Sequence, residues 1–362
     1  MKSGKLYGTP AASAVAACLA MLLAAPMVGA QETKEKVTVD DVDRTFMTRL
    51  PKGYDPHQHY PVVILLHGMN QDADDMERLT QFDQLADKDG IIAVYPLASG
   101  GRWNVGVQPQ ERRQSPMGPG GHRHRGGGYP GGGGGYPGGG GYPGGGGRGY
   151  PGGGQQPSGR ESEDRRPAPA DDVAFVNQML DQLGSKFSVD TTRIYAAGLS
   201  EGGFMSMRLG CALSDRIAAV ATVGAAMPKT MTCLPSRPVA LAMINGTSDP
   251  VVPYGGGTEH NLNLATLSVE DSAKAWARID RCAEKPEHSK LSSAKVDTYP
   301  GCHQSTEVVL YSLKGAGNTW PGGLQYEAEK QVGKTSADFN ANEVMWSFLV
   351  TKKLPAKSES AQ

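Results

Sequence analysis

The run Val62-Val63-Ile64-Leu65-Leu66 is five apolar residues long and stops abruptly at His67-Gly68. A strand with one wet face alternates polar and apolar residues, whereas an unbroken apolar run of strand length has to be covered on both faces. Strands of this kind are predicted again at 91–95, 193–198, 217–223, 239–245 and 307–313. Between them lie segments with helical periodicity: 72–86, 171–183, one opening at Ser200, 269–279 and 340–350. Residues 44–50 alternate, as a half-exposed strand does. Repeated β-α alternation around buried strands predicts an α/β fold with a mostly parallel central sheet and helices on both faces. In such sheets reactive groups collect just past the carboxyl ends of the strands.

Two stretches stand outside that pattern. Residues 1–30 begin with Lys2 and Lys5, continue through an apolar run to Met27 and end in Val28-Gly29-Ala30. That order reads as an export signal cut after Ala30, with an uncleaved anchor as the alternative, and places the mature protein in the periplasm or outside the cell. Residues 108–168 form the second stretch: 20 of the 49 glycines lie between Gly126 and Gly154, interleaved with Gly-Tyr-Pro units at Tyr129, Tyr136, Tyr142 and Tyr150. Their spacings of 7, 6 and 8 residues argue against a stacked repeat and for a coil unable to bury enough surface to fold. It is either an inert expanded loop or a tether whose Tyr and Arg side chains touch a surface or polymer. The predicted α/β domain is therefore split into 31–107 and 169–354, with a polar tail at 355–362. A formal charge of −1 lacks the concentrated basic face that nucleic-acid binding needs.

Without the signal four cysteines remain: Cys211, Cys233, Cys282 and Cys302. In an oxidising compartment an even number favours two disulfides. Three pairings are open, of which the nearest-neighbour choice joins Cys211 to Cys233 and Cys282 to Cys302. Zinc would need closely spaced Cys or His partners, and no such spacing is present. No metal or organic cofactor is expected.

The chemistry centres on Gly198-Leu199-Ser200-Glu201-Gly202. A Gly-x-Ser-x-Gly turn between a buried strand and a helix lifts the serine above the sheet edge as a nucleophile. The backbone N–H of Glu201, at the helix start, suits an oxyanion. A second donor is expected from the loop after the first buried strand, and the N–H of Met69 is in place for it. His67, ending a buried strand, reads as a hydrogen-bonded support rather than a base. Asp249, in the turn-rich segment after strand 239–245, is the candidate triad acid.

These residues resemble the secreted polyhydroxybutyrate-depolymerase-like and feruloyl-esterase-like enzymes, a branch of the α/β-hydrolases overlapping carbohydrate esterase family 1. The resemblance runs from Arg44 to Leu349 apart from the glycine tract. It is carried in order by LLHGMNQDADDM, RWN at 102–104, DDVAFV at 171–176, RIYAAGLSEGGFMS, NGTSDPVVPYGGG, GAGNTWPGG and NEVMWSF. It implies serine esterase chemistry on small acyl esters, polyesters or polysaccharide-linked esters, with Ser200 as nucleophile and Asp249 as acid. Trp103 and Trp320 are expected to line the substrate pocket.

One position departs from the family. Where its members carry the triad histidine in Gly-Gly-Gly-His-x-Trp-Pro-Gly, this chain has Asn318 within Gly315-Ala316-Gly317-Asn318-Thr319-Trp320-Pro321-Gly322. A carboxamide can donate to Asp249 and accept from the serine hydroxyl, but cannot hold a proton near neutral pH. Among the other histidines His260, following the Asp249 loop, is the best-placed substitute, with His122 and His124 in the glycine tract behind it. The expectation is an esterase scaffold with weak or absent turnover, or else a non-catalytic ligand- or polymer-binding protein on that scaffold.

Overall fold

The computed structural model describes residues 31–107, 170–259 and 263–355, together with residues 1 and 4. The predicted export signal, the glycine tract, His260 and nearly all of the polar tail lie outside the described residues. The elements follow in chain order: β1 (Gln31–Val39), β2 (Val42–Leu50), β3 (Tyr60–Leu66), α1 (Ala73–Thr80), α2 (Phe82–Asp89) and β4 (Ile92–Pro96). After the undescribed segment come α3 (Asp172–Lys186), β5 (Val189–Leu199), α4 (Glu201–Ala212), β6 (Ala219–Val223) and β7 (Ala240–Gly246). The chain closes with β8 (Gly257–Glu259), β9 (Leu264–Thr266), α5 (Val269–Ile279), β10 (Glu287–Leu291), β11 (Ala294–Tyr299), β12 (Val308–Leu313), α6 (Glu329–Val332) and α7 (Ala341–Leu349).

Ten strands form one sheet in the order β1-β2-β4-β3-β5-β6-β7-β12-β11-β10, and β8 pairs with β9 separately. The six strands from β4 to β12 run parallel, and the strands outside them pair antiparallel. The apolar runs account for the centre: every residue of β3, β6 and β7 is buried. Along β3 the side chains alternate between two cores. Val62, Ile64 and Leu66 join the layer containing Phe175 of α3, Phe204 of α4 and Trp276 of α5. Val63 and Leu65 join the layer containing Met76 of α1, Phe82 of α2 and Trp346 of α7. The α/β architecture expected from the sequence is the one observed.

The predicted helix 72–86 is two helices. Gln81 takes φ 51° and ψ 30°, closing α1 with a bond from its N–H to the Glu77 carbonyl (2.9 Å) and turning the chain so that Phe82 enters the core. Local periodicity could not show this, because both helices keep their apolar residues on the same side. The outer strands β1, β10 and β11 were not expected either. All five residues of β10 are exposed, so no core-facing pattern marks it. The helix starts are better marked: Asp72, Asp171, Ser268 and Asn340 each accept a bond from the first turn of the helix they precede.

Both disulfides join nearest neighbours, Cys211 to Cys233 and Cys282 to Cys302. Each closes a loop of about 20 residues and is worth roughly 3 kcal/mol in the chain-entropy picture. A buried ion pair ties the sheet to the loop beside the site. Arg44 on β2 meets Asp172 at 2.5 Å and lies 4.2 Å over the Phe175 ring, while the other Asp172 oxygen accepts the Asn104 N–H at 2.6 Å. Replacing one member leaves the other charged and unpaired in the core. Arg44→Met is expected to lower unfolding free energy by about 3–5 kcal/mol, measured as a shift of the urea midpoint at constant slope.

Candidate active site

Strand β5 ends at Leu199 and helix α4 begins at Glu201, so the turn between them is one residue, Ser200. Ser200 takes φ 55° and ψ −116°, a conformation that side chains other than glycine rarely adopt. It is held there by its own N–H, which donates to the Val223 carbonyl at 2.8 Å, and by carbonyl bonds from Gly203 and Phe204. The turn closes because Gly202 has no side chain: a Cβ there would lie 2.1 Å from the Leu66 carbonyl oxygen. Although Ser200 occupies the N-cap position, its side chain makes no capping bond. The hydroxyl therefore faces a cavity of about 500 Å³ lined by residues 68–71, by Pro250 and Val251, and by Tyr326 and Val332.

The loop after β3 forms one wall. His67 is fully buried beneath it, and both ring nitrogens are taken. Nε2 accepts the Ala98 N–H at 3.1 Å, which puts the proton on Nδ1, and Nδ1 donates to the Gly68 carbonyl at 2.7 Å. Burial pushes the imidazole pKa down, so the ring is neutral and structural, as its place at a strand end suggested. Gln71 accepts the Gly68 N–H at 2.9 Å, and the Asn70 N–H donates to Gly101 at 2.9 Å. These bonds fix Met69 at the cavity wall. The Glu201 N–H opens α4 and is one of the unpaired donors of a first helical turn.

The tryptophans are not where the sequence reading put them. Trp103 is 4% exposed and donates its indole N–H to the His67 carbonyl at 2.9 Å, so it braces the wall from behind. Trp320 is 0% exposed, packs in the opposite core layer and donates to Asn342 at 2.8 Å. Each indole gains more from burial with a satisfied N–H than from an open cavity. Neither residue lines the cavity; Tyr326 and Val332 do.

The side chain of Glu201 was missed altogether. It is buried beside the serine, with one oxygen accepting Arg102 Nε at 3.2 Å and the other unbonded. Burial raises its carboxyl to about 7, against the pull of Arg102 and of the Trp103 backbone N–H. The signal was available: a charged residue stood at the x position of a turn whose geometry buries that side chain.

Asp249 follows β7 at the same sheet edge. One of its oxygens accepts the N–H groups of Val251 and Val252, both at 2.8 Å. The other accepts Asn318 Nδ2 at 2.8 Å. Asn318 is 0% exposed, and the same Nδ2 also donates to the Gly224 carbonyl at 2.9 Å. Two acceptors around one terminal atom require it to be nitrogen. The amide oxygen is consequently turned away from Asp249 and has no hydrogen-bond partner among the described residues. The Ser200 hydroxyl is not bonded to it, so the serine link considered from sequence is not made. The segment around Asn318 is held from both sides: its N–H donates to Val332 at 2.6 Å and its carbonyl accepts the Tyr326 hydroxyl at 3.0 Å. Burial lifts the Asp249 carboxyl to about 7, opposed by the bonds from Asn318, Val252 and Val251.

The remaining described histidines are remote from this pair. His57 and His59 are exposed in the β2–β3 connection, His288 sits on β10 against Asp297, and His303 precedes β12. No described histidine lines the cavity.

A strained serine between a parallel strand and a helix, with a buried carboxylate after a later strand, defines an α/β-hydrolase. An esterase family, described as "Putative esterase", matches residues 40–116. The chain is 33% identical over 156 residues to feruloyl esterase B of Piromyces equi, covering 41% of this chain and 29% of that enzyme. It is 22% identical over 343 residues to "Putative esterase NocK" of Nocardia uniformis subsp. tsuyamanensis, covering 90% and 84% of the two chains. Among solved structures an acetyl xylan esterase from Aspergillus awamori matches with a TM-score of 0.49 at 12% identity, covering 79% of this chain and 94% of its own. The chain is thus similar to esterases, feruloyl esterases among them, and spans 29% of the length of feruloyl esterase B.

The raised carboxyls give the site a signature in stability. Glu201 and Asp249 titrate at about 7 in the fold, against ordinary values of 4.5 and 3.8. Between those limits the folded state holds more protons than the unfolded one, so stability falls as pH rises. Urea midpoints are expected to drop from about pH 5 to about pH 8. Glu201→Gln keeps an acceptor for Arg102, and the pH slope is expected to flatten by its share.

Proposed function

We propose that the chain is a carboxylic ester hydrolase of serine type whose turnover is weak because an amide stands where the proton acceptor belongs. In this reading Ser200 attacks the ester carbonyl, the N–H groups of Met69 and Glu201 hold the oxyanion, and Asp249 with Asn318 forms the remainder of the triad. The carrying observation is the strained, uncapped Ser200 facing a cavity beside the Asp249–Asn318 pair. An uncapped hydroxyl with φ near 55° is unfavourable unless something holds it, and nucleophile turns are where such strain recurs.

The names of the relatives supply the substrate class: feruloyl and acetylxylan esters are sugar-linked esters of small acids. A polyhydroxyalkanoate oligomer is the second candidate from the sequence resemblance. Two disulfides and the apolar segment before residue 31 support secretion. The glycine-tyrosine tract is assigned contact with a surface or polymer.

Asn318 favours a second reading, in which the cavity binds an ester or polymer without cleaving it. Its Nδ2 preserves the bond to Asp249 but no atom of the amide can take the serine proton. Cleavage of p-nitrophenyl acetate separates the two. Wild type is expected to be slow, Ser200→Ala slower still, and Asn318→His faster than wild type by about 10²–10⁴-fold. A wild-type rate that Ser200→Ala leaves unchanged would rule out the hydrolase and leave the binding protein.

A further inference from the structure

Ser200 stands past the carboxyl end of β5, and the opposite edge of the parallel sheet carries two further cavities. There Ala218 and Ala240, at the starts of β6 and β7, line one of them. Each cavity holds about 420 Å³, and the two adjoin at Arg237 and Gln304, which line both. One adds Arg281 and His303, the other Lys352 and Lys353. No Asp or Glu lines either cavity, although the whole chain carries 37 acidic residues against 36 Lys and Arg. Lys352 pairs with Glu307 at 2.9 Å. The side chains of Arg281, His303 and Lys353 have no ion pair or hydrogen bond among the described residues, and neither have those of Gln304 and Ser305. Arg237 is fixed between the cavities by the Pro238, Ile217 and Ala218 carbonyls. The acid nearest its charge, Asp280, is fully buried, and burial lifts its carboxyl to about 7, so it offsets only part of that charge. The walls are also held in unusual backbone. Arg281, Gln304 and Ser305 take φ of 56°, 53° and 58°, and such conformations persist where the surroundings over-determine them and recur at binding sites. Here Cys233, Cys282 and Cys302 tie the wall segments down through the two disulfides.

We propose that these adjoining cavities form a binding site for an acidic polysaccharide, a chain of sugar units bearing carboxylates, on the sheet edge opposite Ser200. Carboxylates along such a chain answer the unpaired Arg281 and Lys353, one in each cavity, with Arg237 between them. Its hydroxyls answer the free amide of Gln304 and the free hydroxyl of Ser305. A single small anion fills one cavity and leaves the cations of the other unmatched. A neutral glycan leaves the cations of both unmatched, and an acidic peptide brings the carboxylates with few hydroxyls. A polymer held here leaves the Ser200 cavity open, so the site supplies attachment and no catalytic group. It stands or falls separately from the hydrolase reading.

The test is isothermal titration of the full chain with polygalacturonate, unsubstituted xylan and poly-L-glutamate at low salt. Polygalacturonate is expected to bind saturably and most tightly of the three, and to weaken as sodium chloride is raised towards about 1 M. The double variant Arg281→Asn with Lys353→Gln removes two exposed charges, and asparagine tolerates the left-handed backbone at position 281. It is expected to keep the wild-type urea midpoint and to bind polygalacturonate about tenfold more weakly. Absence of polygalacturonate binding would overturn the site, and equal binding of xylan would overturn the role of charge on which it rests. Equal binding of poly-L-glutamate would overturn the sugar assignment. Binding unmoved by the double variant would put the contact elsewhere, in the glycine-tyrosine tract for one, and would overturn the site as well. The comparison of three polymers uses the wild-type chain alone, so it decides the matter even where the double variant folds poorly.

Discussion

The first turn of α4 lies almost on the carboxyl end of β3, and the rest of the site is built around that contact. A Cβ on Gly202 would overlap the Leu66 carbonyl, and one on Gly198 would lie 2.3 Å from the Gly202 carbonyl. With both glycines in place the helix starts directly above the sheet edge, which forces Ser200 into its strained conformation. The strain is affordable because β5 pairs with β3 and β6 along its length, so the turn is anchored by buried strands on both sides. Loosening this contact would move the serine and the N-terminus of α4 together.

The parallel centre of the sheet accounts for where the other groups come from. Leu199, Val223 and Ile244 are register partners across β5, β6 and β7, and Gly246 pairs with Leu313 on β12. Ser200, Gly224, Asp249 and Asn318 therefore all follow the same edge within a few residues of their strands. Nothing from the antiparallel outer strands reaches the cavity lining. The outer strands extend the sheet, while the reactive edge belongs to the parallel core.

This division explains what could be read from the sequence. Continuous apolar runs marked each central strand, and Asp171 and Asn340 marked helix starts, since both signals are local. The strained turn at Ser200 was legible because steric demand fixes its glycines. The two tryptophans were misplaced because a Trp-Pro-Gly or Arg-Trp-Asn string does not say which side of a loop faces the core. Their burial depends on His67 and Asn342, which are 36 and 22 residues away in the chain. The break at Gln81 and the buried Glu201 carboxyl likewise depend on tertiary contacts that no window of the sequence contains.

The Asp249–Asn318 bond shows how structure and chemistry separate at one position. A buried carboxylate needs donors, and Asp249 has three: two backbone N–H groups and the Asn318 amide. An apolar residue at 318 would remove one donor and leave the charge poorly solvated, at a cost of about 1–3 kcal/mol for a hydrogen bond to a charged group. A histidine would supply the same donor and, through its second nitrogen, a proton acceptor as well. Asparagine supplies the donor alone. It satisfies the carboxylate, bonds Gly224, and keeps the loop between β12 and α7 in place through Val332 and Tyr326. The carboxamide makes the bonds to Asp249 and Gly224, the backbone of Asn318 makes those to Val332 and Tyr326, and what the side chain lacks is a second nitrogen able to take a proton.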